Sequence, residues 1–370
     1  MQLFEDVTMF PTSYDAILEC IATIDPIKYS SSRNFIDGAV TYLSPYIARG
    51  VISTKQVMES VLERGFQPVQ IEKFLQELAW RDYWQQVWIA KGDAINSDLK
   101  NIQKPIANHG MPQTILDGKT GILAIDKPIA GFYETGYLHN HLRMYIAAIC
   151  CNMAQSHWRY PAKWMYYHLL DGDWASNALS WQWVAGSNSN KKYVANQENI
   201  NKYCYTQQKN TFLDIDYSAF SGMDIPEELI VISDEKLITP LPEKAPIEVR
   251  ASLPTYIYNY YNLDHKWGAE IEANRILLLE PSVFKHYPIS KKSIDFMLEL
   301  ANNIEGIQVY VGEFDELVNE YGLDDIHFKE HPLNTNYRGN EIPRDWMFDV
   351  TGYFTSFFGF WKKCKKQLKY

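Results

Sequence analysis

The stretch Asp171–Trp183 concentrates residue types that can do chemistry at helical spacing. Asp173 stands where a helix N-cap is expected, because an Asp side chain accepts hydrogen bonds from the first free backbone N–H groups of a helix. Asn177 and Trp181 follow at four-residue steps, so the three side chains fall on one helix face. An Asp at an N-cap is commonplace, but an Asp-Gly-Asp sequence followed by this series is not. The pattern therefore predicts a groove lined by a carboxylate, an amide and an indole.

Two further helical stripes mix residue types that a protein core does not usually mix. The first carries a carboxylate, two indoles and a guanidinium at i, i+3, i+4 and i+7; its members are Glu77, Trp80, Arg81 and Trp84. Alone, it is equally typical of an amphipathic helix with a surface Glu–Arg pair. The second places Asn140, Arg143 and Met144 on one face. Alone, it is equally typical of an Asn near a helix start followed by a surface Arg.

Hydroxyl-rich sequence lies further upstream, at Tyr29–Arg33 and Thr41–Tyr46. Ser44 begins a predicted helix with Pro45 in its first turn. Hydroxyls and backbone N–H groups at a helix start can bind a diphosphate without a glycine-rich loop. The same signal marks any Ser-Pro helix start, so both interpretations stay open from these residues alone.

The elements that must position these residues are helical from Tyr14 to about Cys204, with apolar-periodic segments separated by Gly, Pro and Asn. Eight of the eleven tryptophans lie between Trp80 and Trp183, a concentration that core filling alone does not explain. The pattern predicts a mainly α fold in three parts. These are a helical domain in residues 1–220, a linker in residues 221–260 and a small α/β module with a C-terminal helix in residues 261–370.

The second module reads as an open α/β unit. Short apolar runs predict strands at Arg275–Glu280, Ile307–Val311 and Ile326–Lys329, and an amphipathic pattern predicts a helix at Lys291–Asn303. The stretch Asp345–Lys369 reads as an aromatic helix whose last turns are rich in lysine, where cations are favourable.

Composition excludes several classes of protein. The five cysteines form no C-x-x-C pair, which favours reduced thiols and predicts no metal site. Because the sequence has no long apolar stretch and no signal-peptide layout at its N-terminus, we expect no membrane span and a cytoplasmic location. The net charge of −10 argues against a generic nucleic-acid binder. Residues 1–220 carry 19 basic and 21 acidic side chains, whereas residues 221–370 carry 16 basic and 24 acidic ones. The acidic excess therefore lies mainly in the second part, and the net charge does not exclude a local basic surface on the first part.

These elements, in this order and spacing, resemble the flavin domain of the DNA photolyase/cryptochrome family. The resemblance covers about Tyr29 to Trp183, close to half of the chain. The matching motifs are Thr-Tyr-Leu-Ser-Pro-Tyr at 41–46, Glu-Leu-Ala-Trp-Arg-Asp-Tyr at 77–83, Thr-Gly-Tyr-Leu-His-Asn-His-Leu-Arg-Met at 135–144 and the run Asp-Gly-Asp to Trp-Gln-Trp at 171–183.

The resemblance implies a U-shaped FAD and assigns residues to it. The phosphates and ribityl chain would be held by the hydroxyl-rich segments, at Tyr29, Thr41, Tyr42, Leu43 and Ser44. The cofactor's rings would be surrounded by Glu77, Arg81, Tyr137, Asn140, Arg143, Asp171, Asp173 and Asn177. Among these, Asn177 would face the reactive flavin nitrogen and Arg143 would stabilise the reduced, anionic ring. Trp181 and Trp158 match the first two tryptophans of the family's electron relay.

The same resemblance implies a pocket for a pyrimidine dimer flipped out of UV-damaged DNA. The matching positions are Arg33 for a phosphate and Glu77, Trp80, Met144 and Trp183 for the dimer. Two departures stand out: the family's Thr-Gly-Trp carries Tyr137, and no Trp that could serve as a third relay member lies between Trp88 and Trp158. Because the flavin motifs begin at Tyr29, we expect no N-terminal antenna domain before them. Asn274–Pro332 resembles its later part, placed at the C-terminus.

The sequence leaves three functions open. The first is an enzyme that splits cyclobutane pyrimidine dimers with light, favoured because Asn140 and Met144 stand where members that act on (6-4) photoproducts usually carry histidines. The second is a cryptochrome-like photoreceptor whose flavin redox state is read by a protein partner, with the acidic C-terminal module as the contact. The third is a flavoprotein that keeps FAD and has lost its DNA surface.

Overall fold

The computed structural model describes residues 10–368 as two compact units. Unit 1 contains the described residues up to Pro26, Thr41–Ile89 and the chain from Ile238 onward, and unit 2 contains Ile27–Val40 and Ala90–Leu237. The predicted division at residues 220 and 260 stays a prediction. No helix within residues 10–368 is long and apolar enough to cross a membrane.

Helix is the commonest secondary structure, as the sequence predicts. The α-helices are α1 (Tyr14–Ala22), α2 (Pro26–Ser32), α3 (Ser44–Ala48), α4 (Thr54–Glu63), α5 (Glu72–Lys91), α6 (Gln113–Leu116), α7 (Leu123–Thr135), α8 (Asn140–Ala148), α9 (Arg159–His168), α10 (Trp174–Ala185), α11 (Gln197–Cys204), α12 (Pro281–His286), α13 (Lys291–Ala301), α14 (Phe314–Tyr321) and α15 (Phe357–Cys364). The strands are β1 (Met111–Pro112), β2 (Ile232–Ser233), β3 (Thr255–Tyr258), β4 (Asn274–Leu279), β5 (Ile307–Val311), β6 (Ile326–Lys329) and β7 (Asn340–Ile342).

Unit 1 contains a five-stranded parallel sheet in the order β5-β4-β3-β6-β7. When the five strands are renumbered along the chain, with β3 as the first, the sheet order is 3-2-1-4-5. This is the strand order of doubly wound nucleotide-binding sheets. The run Ile276–Leu279 of β4 is buried throughout, as expected for a strand covered on both faces. Ile257, Ile276, Phe328 and Tyr310 form the centre of the core around the sheet. The predicted strands β4, β5 and β6 and the helix α13 are confirmed to within two residues.

One strand of the sheet was missed from the sequence, and one helix was predicted too long. The central strand β3 was missed because its run of four residues between Pro254 and Asn259 is too short to stand out from connecting sequence. The aromatic stretch predicted as a helix from Asp345 is α-helical only at α15, which a 3-10 turn at Lys365–Gln367 follows, and its predicted end at Lys369 lies outside the described residues. Before α15 the backbone turns at Gly352, whose φ is 95°, and Ser356 then caps the helix by accepting a hydrogen bond from the N–H of Gly359.

In unit 2, α9 and α10 form a helical hairpin that carries the strongest sequence motif. Asp173 is the N-cap of α10, as predicted, and its Oδ1 accepts a 2.7 Å hydrogen bond from the backbone N–H of Ser176. The side chain of Asn177 ties the two helices together, because its Nδ2 donates to the carbonyl of Ala162 over 2.7 Å. The two helices are joined by the short loop of residues 169–173.

Candidate functional site

A buried ion pair lies beside the N-terminus of α10 in unit 2. The guanidinium of Arg143 on α8 is 3.0 Å from Oδ2 of Asp171, and the two side chains are 20% and 3% exposed. A second hydrogen bond runs from Nε of Arg143 to the carbonyl of Leu138 over 2.7 Å. The ring of Tyr137 lies 5.8 Å from the guanidinium carbon. Because Arg143 is held from two sides, its charge stays at a fixed place in a poorly solvated site.

The Asp-Gly-Asp turn carries this pair onto the helix start. A Cβ at Gly172 would lie 2.9 Å from the carbonyl oxygen of Tyr166 and 3.0 Å from that of Leu169, so only glycine fits here. Asp171 and Asp173 are both buried, one paired with Arg143 and one capping α10. The turn therefore places two carboxylates next to the unpaired backbone N–H groups expected in the first turn of a helix.

Three tryptophans of the motif region differ sharply in exposure. Trp158 and Trp181 are 0% and 2% exposed, whereas Trp183 is 42% exposed. Trp158 lies four residues before Ala162 and Trp181 four residues after Asn177. Ala162 and Asn177 are hydrogen-bonded to each other, so each buried tryptophan lies four residues along the chain from this link between α9 and α10. The relay role of the two tryptophans stays a prediction.

The polar residues at the start of α8 have contrasting environments. Asn140 is exposed and Met144 half-buried. Burial, together with the nearby His141 and Arg143, lowers the pKa of His139 from 6.5 to about 4, so this side chain is neutral at pH 7.

In the upstream segment of the same unit, Arg33 donates from Nη1 to the carbonyl of Ser30 over 2.8 Å, and Tyr29 is half-buried on α2.

The predicted diphosphate segment belongs to unit 1. Ser44 is the first residue of the short helix α3 and Pro45 follows it, as predicted. Tyr42 is exposed and adopts a φ of 55°, and Oγ1 of Thr41 accepts a 3.4 Å hydrogen bond from the N–H of Leu43. The side chain of Leu43 is buried in the core, so this residue can offer a ligand only its backbone.

The stripe on α5, also in unit 1, has a neighbour that sequence reasoning missed. Glu77 forms a 2.9 Å ion pair with Lys73, one turn earlier, and Arg81 is half-buried. Trp80 stacks on Phe357 of α15 with ring centroids 3.8 Å apart and planes at 11°. No local signal could have found this contact, because the two residues are distant in the sequence and Phe357 belongs to a run of aromatic residues with no distinguishing mark.

The predicted site residues thus divide between the two units. Unit 2 contains Tyr29, Arg33, Tyr137, Asn140, Arg143, Met144, Trp158, Asp171, Asp173, Asn177, Trp181 and Trp183. Unit 1 contains Thr41, Tyr42, Leu43, Ser44, Glu77, Trp80 and Arg81. Within residues 10–368 no group of three His, Cys, Asp or Glu side chains could hold a metal ion, and all five cysteines are free thiols.

Comparisons with known proteins identify part of the chain. Residues 74–214 match the family model of the FAD-binding domain of DNA photolyase. The deoxyribodipyrimidine photo-lyase of Streptomyces griseus is 30% identical over 161 residues, which cover 42% of this chain and 34% of that protein. That of Buchnera aphidicola is 25% identical over 289 residues, which cover 70% and 55%. A cryptochrome structure from Synechocystis has a TM-score of 0.48 at 23% identity and covers 53% of this chain and 44% of its own.

Residues 74–214 are therefore a FAD-binding domain of the DNA photolyase/cryptochrome family, and FAD is the cofactor of this domain. The chain spans about a third of the length of the first curated relatives that it matches.

A flavin fits the polar groups that unit 2 brings together. The ring of a reduced flavin is anionic, and the buried guanidinium of Arg143 supplies the opposite charge. Its pyrimidine edge has carbonyls and an N–H, which match the backbone N–H groups at the start of α10 and the carboxylates beside them. The buried hydroxyl of Ser176 makes no hydrogen bond within residues 10–368, so it too can serve a ligand.

Proposed function

We propose that this protein is a light-driven DNA repair flavoprotein that splits cyclobutane pyrimidine dimers. The observation that carries the proposal is the buried Arg143–Asp171 pair at the start of α10, inside the segment that matches the photolyase domain. When bound and reduced, FAD supplies the electron that starts dimer cleavage. Arg143 would hold positive charge beside the ring, and Asp171 fixes the orientation of the Arg143 guanidinium by the ion pair.

The remaining ring contacts follow from the same unit. Asp173 and Asn177 lie on one face of α10, with Tyr137 and Asn140 at the start of α8. We assign Asn177 to the reactive nitrogen of the ring, where its amide can hold or release a hydrogen bond. In unit 1, Thr41, Ser44 and the backbone of Leu43 are the assigned diphosphate contacts. In unit 2, Tyr29 is assigned to the cofactor as well.

Substrate recognition is assigned to side chains that can stack on bases or bind phosphate. Trp183 is the most exposed tryptophan of the motif, and an exposed indole provides a stacking surface for an unpaired base. Met144 is half-buried on α8, and Arg33 is a cation for the DNA backbone. Within unit 1, Glu77 is assigned to stabilise the dimer during cleavage and Trp80 to stack on it.

A cryptochrome-like blue-light photoreceptor is the second candidate. It is favoured by Phe357, which already covers one face of the indole of Trp80 with a residue of the chain itself. The acidic excess of residues 221–370, which carry 24 acidic and 16 basic side chains, suits a protein partner better than DNA.

A repair assay separates the two candidates. The flavin of the purified protein is reduced chemically without oxygen, an oligonucleotide with one thymine dimer is added, and restored thymines are counted after blue light and in the dark. We expect light-dependent repair of the dimer and none of a (6-4) photoproduct. Trp183→Ala should weaken damaged-DNA binding by about 1–3 kcal/mol, whereas Tyr217→Ala, which removes another exposed aromatic of unit 2, should not. Failure to repair single- or double-stranded substrate with fully reduced flavin would exclude the enzyme and favour the photoreceptor.

A further inference from the structure

The buried relay tryptophan Trp158 donates its only side-chain hydrogen bond to a carboxylate. Its Nε1 is 2.8 Å from Oδ1 of Asp98. The indole is 0% exposed, whereas the Asp98 side chain is 16% exposed and so keeps limited access to solvent. A charged acceptor makes this a stronger hydrogen bond than one to a neutral group.

Gln103 holds the donor and the acceptor in fixed positions. Its backbone N–H donates to Oδ2 of Asp98 over 2.8 Å, and its Oε1 accepts from the backbone N–H of Trp158 over 3.0 Å. Its Nε2 donates to the carbonyl of Ser156 over 2.8 Å. Each oxygen of Asp98 therefore has a defined partner, and the one that faces the indole cannot rotate away without breaking the other bond.

A second titratable group borders the same carboxylate. Nε2 of His157 lies 3.6 Å from Oδ1 of Asp98, and the ring centroid of His109 lies 5.4 Å from that of His157. Burial lowers the pKa of His157, with further lowering from His109 and Arg159, against the opposing effect of Asp98. The imidazole is therefore mainly neutral at pH 7 and can take up a proton. A chain of polar groups leads from the buried indole towards the surface.

We propose that Asp98 is the proton acceptor of oxidised Trp158, an inference that rests on the photochemical relay of the proposed function. Trp158 gives one electron to oxidised Trp181, the step that the proposed relay requires. The Nε1–H bond of the resulting cation radical then breaks, and the proton moves to Oδ1 of Asp98. The products are a neutral indole radical and a neutral carboxylic acid. An external thiolate later gives one electron, becoming a thiyl radical, while Asp98 returns the proton.

The transfer has a direct physical consequence. An indole cation radical is strongly acidic, and a buried positive charge is costly unless it is neutralised. Once the proton has moved, an electron that returns to the neutral indole radical would form an indole anion unless the proton returned with it. Charge recombination is therefore slowed. Asp98 thereby prolongs the charge-separated state. This role gives a physical reason for the buried donor to face a carboxylate.

The test is transient absorption of the flavin-loaded protein after a blue flash, in H₂O and D₂O. The cation and neutral radicals of tryptophan have distinct visible bands. In the parent protein we expect the cation band to be replaced by the neutral band, with a slower replacement in D₂O. Asp98→Asn should lose the replacement and its isotope effect, and charge recombination should become faster. Asp93→Asn, which changes an exposed acid of the same segment, should behave as the parent.

A structural role of Asp98 predicts something different. Asn has one acceptor oxygen, so Asp98→Asn satisfies either Trp158 or Gln103 and loses the other hydrogen bond. That loss would lower the melting temperature without removing an isotope effect. In the flavin-free full chain, ultraviolet resonance Raman reports the indole N–H hydrogen bond, assigned by subtraction of a Trp158→Phe spectrum. We expect a strong bond in the parent and a weaker one in Asp98→Asn.

The outcomes separate the inference from the function on which it rests. If a tryptophan cation radical persists in the parent protein with no isotope effect, the proton transfer is overturned while the relay stands. If no tryptophan radical forms after the flash, the relay and the proton transfer are both overturned. The parent protein alone gives either of these two results, whether or not Asp98→Asn folds. If Asp98→Asn keeps the replacement of the cation band and its isotope effect, another group takes the proton and the inference is overturned.

Discussion

The contact between Phe357 and Trp80 predicts a large difference between two adjacent phenylalanines. Phe357 is 2% exposed and stacked on the indole, whereas Phe358 is 66% exposed. Phe357→Ala should destabilise unit 1 by about 3–5 kcal/mol, because it leaves a cavity as well as losing buried apolar surface. Phe357→Leu keeps most of the volume and loses the ring pair, so about 0.5–1.5 kcal/mol is expected. Phe358→Ala should change the free energy of unfolding by less than about 0.5 kcal/mol.

Urea unfolding followed by circular dichroism measures these differences, and tryptophan fluorescence reports whether the indole of Trp80 has become accessible to a quencher. Phe357→Tyr serves as a rescue variant, since it restores a flat ring at the same place. The reasoning would be refuted if Phe357→Ala cost no more stability than Phe358→Ala. It would also be refuted if Leu and Tyr at position 357 gave the same quenching, because stacking would then contribute nothing beyond volume.

Four further predictions concern the candidate site. Asp171→Asn should destabilise the protein by about 2–3 kcal/mol, because it leaves a largely buried guanidinium without its counter-charge, and should release flavin on gel filtration. Trp181→Phe should abolish or sharply slow photoreduction of oxidised flavin with FAD still bound, which absorption spectra under blue light measure. Glu77→Gln should mainly lower the repair yield per absorbed photon, and Trp80→Ala should mainly weaken binding of damaged DNA by about 1–3 kcal/mol. Because burial lowers the pKa of His139 from 6.5 to about 4, its neutral form contributes stability above pH 6.5 that is lost as the pH falls towards 4, which urea midpoints across this range test.

The sequence was sufficient to predict an element when the residues of that element mark where it begins and ends. Helix α10 could be predicted because Asp173 caps it and its side chains recur at four-residue steps, and the structure adds Gly186, with a φ of 85°, at its C-terminus. Strand β4 stood out as a run of apolar residues. Strand β3 did not, since nothing in its four residues shows that both of its edges will pair with other strands.

The site was only partly accessible to the same reasoning. The spacing put Arg143 on one stripe and Asp171 on another, and their residue types alone did not pair them; the family resemblance placed both around the flavin. The contacts of Asp98 with Trp158 and of Phe357 with Trp80 were missed, because each joins residues from elements far apart in the sequence. A carboxylate in a loop and a phenylalanine in an aromatic run look the same whether or not they have such a partner.

The segment before Gln103 gives the missed contact of Asp98 with Trp158 a wider physical meaning. Its side chains and carbonyls accept hydrogen bonds from the hairpin at three places, where Trp174 donates to Asn96, Gln182 to the carbonyl of Ile95, and Trp158 to Asp98. Close packing fixes the volume available to an indole, but a hydrogen bond from its N–H also fixes the direction of the ring. Electron transfer between aromatic rings depends steeply on their separation, so a relay needs this second constraint. The same bond that orients Trp158 is the one through which its proton can leave, and orientation and proton acceptance are therefore two properties of a single contact.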